Sequence, residues 1–174
     1  MRLSKATLSF GLFVVLSASF MRQVLDFIYA SIGKQAAVVT LGVAFAIIFA
    51  VILWRARGLK TTINRKLLLL IVVVVGLYWS WSFKIVAERI HILEYGLLGY
   101  WIARDLLKGR INIGAGTLTI LVLLAFAFLD EGFQYFLPYR VFDLRDIAFN
   151  LAGGAWGACL FLIKKQHCSA ELYP

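Results

Sequence analysis

The chain has 174 residues, 62% of them hydrophobic and 16% charged, with a mean hydropathy of +0.87 and a net charge of +9. Soluble domains run at about 45–50% apolar and about 25% charged, so an ordinary soluble domain is excluded. The basic residues sit in short stretches between apolar blocks, the pattern of the positive-inside rule, which argues against a nucleic-acid partner.

The apolar blocks are roughly 17–20 residues long, the length that crosses a bilayer as a helix. Long Leu/Val/Ile runs and only two prolines leave none of the alternation of a membrane β-barrel. The predicted fold is therefore all-α: a polytopic membrane helical bundle of about six transmembrane helices.

The first block, residues 6–20, follows Arg2 and Lys5. It has the outline of a signal peptide, with Ser17-Ala18-Ser19 as small residues near its end, but is read as a retained span. Residues 21–35 mix Arg22, Asp26 and Lys34 with Phe27, Ile28 and Tyr29, as an interfacial helix or surface loop does. The second block covers 36–54. A linker with Arg55, Arg57, Lys60, Arg65 and Lys66 and no acid leads to the third block, 67–83. Tyr78, Trp79 and Trp81 close that block as an interfacial aromatic girdle. The fourth block runs from about 85 to 102, the fifth from 111 to 129 and the sixth from 146 to 163. Cys159 lies in the sixth and Cys168 in the tail, so no disulfide between them is expected.

Six spans place both termini on one side. Lys and Arg number twelve on that side and six on the other, which makes the termini cytoplasmic. Seven of the nine acids, Asp26, Glu88, Glu94, Asp130, Glu131, Asp143 and Asp146, then fall toward the outer face. The division that follows is 1–66, an N-terminal hairpin with an interfacial segment and a basic cytoplasmic loop; 67–165, a four-helix core; and 166–174, a cytoplasmic tail.

The polar groups of the core fall in three stretches. On a helix, Glu88, His91 and Tyr95 share a face, with Glu94 beside His91. Asp130 and Gln134 are four apart, and Glu131 is three from Gln134. Asp143, Asp146 and Asn150 form a third stripe, continued by Gly153 and Gly157, whose spacing lets a neighbouring helix approach closely. Ionisable groups at the membrane boundary are costly and either pair or serve a function. In the structural reading, Arg89, Arg140 and Arg145 neutralise the acids in an interfacial network. In the functional reading, acid, base and amide groups converge on a substrate. Gln134 and Asn150 favour the second, since charge neutralisation does not require amides.

In such a pocket His91 is the natural proton carrier, with Glu88 or Glu94 to orient it. Glu88 and His91 are thus the candidate catalytic pair. Arg140 suits an anion, and Glu94, Tyr95, Asp130, Glu131, Gln134, Asp146 and Asn150 complete the candidate binding set. Glu88-x-x-His91 has the spacing of di-iron carboxylate bundles, but those need two such pairs, so no metal and no cofactor are expected.

The stretches ERIHILEYGLLGYW and LDEGFQYFLPYRVFDLRDIAFNLAGG together resemble the VanZ-like family, named for a teicoplanin-resistance protein. His91 and Tyr95, then Asp130, Glu131 and Gln134, then Arg140, Asp146, Asn150 and Gly153 carry the resemblance, over roughly residues 67–165. It implies an envelope role at the outer face of the bacterial cytoplasmic membrane, with membrane lipids as partners. The expected function is a polar outer-leaflet pocket that binds or modifies a lipid or lipid-linked headgroup. The alternative is a non-catalytic accessory subunit of a larger membrane complex.

Overall fold

Helix caps and helix breakers in the sequence set the ends of the elements. In a computed structural model, which describes residues 2–57, 62–84, 86–109, 111–138 and 142–170, every regular element is an α-helix. In order these are α1 (Lys5–Ser17), α2 (Met21–Ile32), α3 (Lys34–Arg57), α4 (Ile63–Ser82), α5 (Val86–Leu107), α6 (Ile113–Tyr135) and α7 (Leu144–Ala170). Ser4 caps α1 by accepting from the Thr7 amide at 3.2 Å, and Asn112 caps α6 by accepting from the Ala115 amide at 2.8 Å. Asp143 does the same for α7 through the Arg145 amide, also at 2.8 Å. Gly33, at φ 79°, separates α2 from α3 with a backbone conformation that costs glycine little.

Four helices are long and apolar enough to cross a membrane: α3, α4, α6 and α7. The α1–α2 pair, bent by 66° at its break, makes a fifth if counted as one span. The expectation of six meets two physical obstacles. At 13 residues α1 is only ~20 Å long, and α5 carries Glu88, Arg89, Glu94, Arg104 and Asp105.

Polar α5 is nevertheless the most enclosed helix, touching α1, α4, α6 and α7, with Tyr95, Leu98 and Ile102 fully buried. Its main partner is α7, which runs in the same direction: Gly153 faces Ile92, and Gly157 faces Gly96 and Tyr100. A Cβ at Gly157 would lie 1.7 Å from the Gly96 carbonyl oxygen, and one at Gly99 2.0 Å from that of Gly154. The backbones therefore meet with no room for side chains between them, as small-residue stripes permit. Trp156 fills the adjacent space against Gly76 and Gly96 and donates to the Val72 carbonyl at 2.8 Å, which ties α7 to α4.

The contacts between helices gather the polar groups at one end. Asp130, near the end of α6, meets His91 and Asn150, near the starts of α5 and α7. At the opposite end Asp105 of α5 accepts from the Ser4 amide at 2.8 Å and the Thr7 hydroxyl at 2.6 Å, while Arg104 pairs with Asp105 at 3.0 Å. This clamp fixes the start of α1, whose other end, Ser17 and Ala18, reaches the polar end of the bundle. Lys165 closes the same far end by donating to the Leu107 carbonyl.

Because the α5–α7 contact has no spare volume, Gly157→Ala should destabilise the protein by about 2 kcal/mol or more. Gly116→Ala, with nothing within 4 Å of the new methyl group, should be neutral or stabilising by up to about 1 kcal/mol. Thermal unfolding of the two variants in detergent checks the contrast.

Candidate functional site

Helix spacing explains how the site assembles. His91, Glu94 and Tyr95 lie within one turn of α5, Asp130 and Gln134 lie one turn apart on α6, and Asn150 is on the buried stripe of α7. Asp130 is 0% exposed and is the group on which the others converge. Its Oδ2 lies 2.8 Å from His91 Nε2 and accepts from the Tyr95 hydroxyl at 3.2 Å and the Asn150 amide nitrogen at 3.3 Å. Its Oδ1 accepts from the Gln134 amide nitrogen at 3.2 Å. A carboxylate so provided with donors loses little by burial, whereas the same group without them costs several kcal/mol.

The other ring nitrogen of His91, Nδ1, lies 3.2 Å from Glu94 Oε2. Both nitrogens thus face carboxylate oxygens. Hydrogen bonds on both sides require two protons in the Glu94–His91–Asp130 trio: both on the ring, or one on the ring and one on a carboxyl group. His91 keeps 24% of its side chain exposed, so the imidazole between the two carboxylates remains reachable from outside.

It is reached from a cavity of about 120 Å³. From α5 the wall takes Glu88, His91 and Glu94; from α6, Gln134; from α7, Asp146, Phe149 and Asn150. The α1–α2 corner closes the opposite side with Ser17, Ala18 and Met21, and Phe83 lies at the end of α4. Among the described residues no three His, Cys, Asp or Glu side chains are placed to hold a metal ion.

Six of the candidate residues named from sequence therefore line one cavity. Tyr95 and Asp130 stand behind His91, buried. Glu131 has a different position: 0% exposed, it does not line the cavity, and its Oε1 accepts from the Asp143 amide at 2.6 Å. It thereby anchors the residue that caps α7. Arg140 lies outside the described residues. Arg89 turns away from the acids, donating to the Phe83 carbonyl at 2.7 Å with its guanidinium 4.3 Å from the Trp81 ring. Sequence reasoning missed Ser17, Ala18, Met21, Phe83 and Phe149. The small Ser17-Ala18 pair was the available signal, and it fits a cavity wall as well as a cleavage site.

A family model described as VanZ/LLP1 matches residues 3–165. The chain belongs to the VanZ/LLP1 family. No curated protein and no solved structure matches it. The VanZ/LLP1 match takes in α1–α3 as well as the stretch that carries the motifs, in keeping with the α1–α2 corner being one wall of the cavity. Family membership and the apolar helices support a multi-pass membrane protein with an envelope-related or resistance-related role.

Removing the Asp130 carboxylate strands His91 Nε2 and the Gln134 and Asn150 amide nitrogens in the interior, while the Tyr95 hydroxyl keeps the Phe126 carbonyl at 3.1 Å. Asp130→Ala should therefore cost on the order of 3–5 kcal/mol. Asp143→Ala, which removes only an exposed cap, should cost about 1 kcal/mol. Unfolding of both variants in the same detergent gives the comparison.

Proposed function

We propose that this VanZ/LLP1 protein receives the headgroup of an envelope lipid, or of a lipid-linked precursor, in the cavity beside His91. The observation that carries the reading is the His91 imidazole set between the carboxylates of Glu94 and Asp130 at the wall of a cavity that a small group can enter. His91 gives or takes a proton, Glu88 and Glu94 bias it, and Gln134 and Asn150 orient the guest. Tyr95 and Asp130 hold the histidine from behind.

In this reading the helices that cross the bacterial cytoplasmic membrane are six: α1, α3, α4, α5, α6 and α7. α5 crosses inside the bundle, where its neighbours shield its polar groups, and short α1 crosses with α2 lying along the outer surface. The exposed apolar side chains of α3, among them Val39, Val43, Ile47 and Trp54, then face lipid. Both termini are cytoplasmic, as the excess of Lys and Arg at that end supports. The cavity opens at the outer leaflet.

Two measurements test this. In a background without Cys159 and Cys168, a membrane-impermeant thiol reagent applied to intact cells should label Asp143→Cys and spare Lys108→Cys; the reverse pattern sinks the topology. Native mass spectrometry of gently extracted protein should show one retained lipid, lost from Met21→Trp, which fills the rim, and weakened by His91→Ala without loss of fold. A stoichiometric protein partner and no lipid would instead make the chain an accessory subunit.

A further inference from the structure

We infer that the α4–α5 junction holds the phosphate group of a membrane lipid, at a site built on Arg89 and separate from the His91 cavity. Of the five N–H groups of a guanidinium, one is used here, that of Nε, which donates to the Phe83 carbonyl at 2.7 Å. Nη1 is enclosed and has no acceptor; Nη2, which is not sealed off in this way, makes no hydrogen bond. Among the described residues no Asp or Glu forms an ion pair with Arg89. The neighbouring acid, Glu88, lines the cavity instead. A partly enclosed cation with no counter-charge is costly. Phosphate oxygens accept from a guanidinium in the geometry it offers, so a phosphate at the Nη2 corner supplies what the protein does not.

A second cation stands at the same junction. Lys84, directly after Phe83, is exposed and forms no ion pair among the described residues. The surroundings suit a lipid and not a free solute. Trp81 carries the guanidinium at 4.3 Å from its ring. That ring is seated on α3 by Phe45, edge-on at 5.7 Å, and by Gly42, so the platform under Arg89 is fixed. Trp81 and Tyr78 are exposed, as the aromatic belt at the depth of lipid headgroups is. Further along the two helices, Val39 and Val43 of α3 and Ile71 and Val75 of α4 point outward, an apolar flank for acyl chains below the phosphate. Open to the bilayer, this site exchanges its lipid on extraction, which sets it apart from the cavity.

The test titrates delipidated full-length protein in detergent with dioctanoyl phosphatidylglycerol, with dioctanoylglycerol, which lacks the phosphate, and with inorganic phosphate. Wild type and Met21→Trp, whose filled rim keeps lipid out of the cavity, are compared. In both, phosphatidylglycerol should bind about tenfold or more tightly than dioctanoylglycerol. Arg89→Gln should remove that advantage. Lys84→Gln, a change to an exposed side chain that serves should Arg89→Gln fold poorly, should reduce it about fivefold. Equal binding of the two lipids, or an advantage that neither variant weakens, overturns the site. An Arg89-dependent advantage that vanishes in Met21→Trp assigns the phosphate to the cavity's own guest; it overturns a separate site and leaves the headgroup reading standing. Inorganic phosphate binding as tightly as phosphatidylglycerol keeps the anion and overturns its lipid source.

Discussion

One buried carboxylate sets the register of the bundle. Asp130 is wholly enclosed, and its two oxygens meet groups from α5, α6 and α7. In a bilayer no water waits to take over from a missing donor, so the cost of shifting any one of those helices falls on this group. The three helices are held at one height by the requirement that Asp130 be satisfied. His91 is held with them, so the residue best suited to proton transfer is fixed in place by a structural need. The groups that fix the bundle and the proposed proton site share one atom, Asp130 Oδ2.

The glycine stripes make that arrangement reachable. Asp130 can meet Asn150 and His91 together only if α5 and α7 lie almost backbone to backbone, which Gly96, Gly99, Gly154 and Gly157 allow. The same closeness explains how a helix as polar as α5 sits at the centre. Its apolar residues Leu98 and Ile102 pack into the core with Leu123 and Ala127 of α6, while its charged residues collect at its two ends, in the trio and in the Asp105 clamp. Neither end leaves its carboxylates facing lipid.

Much of this was legible in the sequence, and the part that was not has a physical cause. The apolar blocks located α3, α4, α6 and α7, because a membrane helix is marked by composition alone, though α6 and α7 run on past the expected ends to Tyr135 and Ala170. Helical spacing placed Glu88, His91 and Tyr95 on one face with Glu94 beside His91. Of these, Glu88, His91 and Glu94 line the cavity and Tyr95 is buried behind it. The Gly153/Gly157 stripe was read correctly as a surface of close approach. Periodicity gives faces within a helix but not partners between helices. That left the roles of Glu131 and Arg89 open: one holds the start of α7, the other stacks on Trp81. The small Ser17-Ala18 pair marks a place where something can come close, but nothing local tells that it faces His91 across the cavity. Such a contact follows from the Asp105 clamp and the length of α1, both matters of three-dimensional reach.

That clamp also orders events in time. Ser4 and Asp105 are 101 residues apart, so α1 cannot be fastened until α5 has been made. At ~5–20 residues per second the interval is roughly 5–20 s, long on the scale of helix formation. During it Thr7 lacks its carboxylate, and the cavity has only one wall. Asn150 is added later still. The cavity is built from the α1 wall inward, and it comes into being only when α7 arrives.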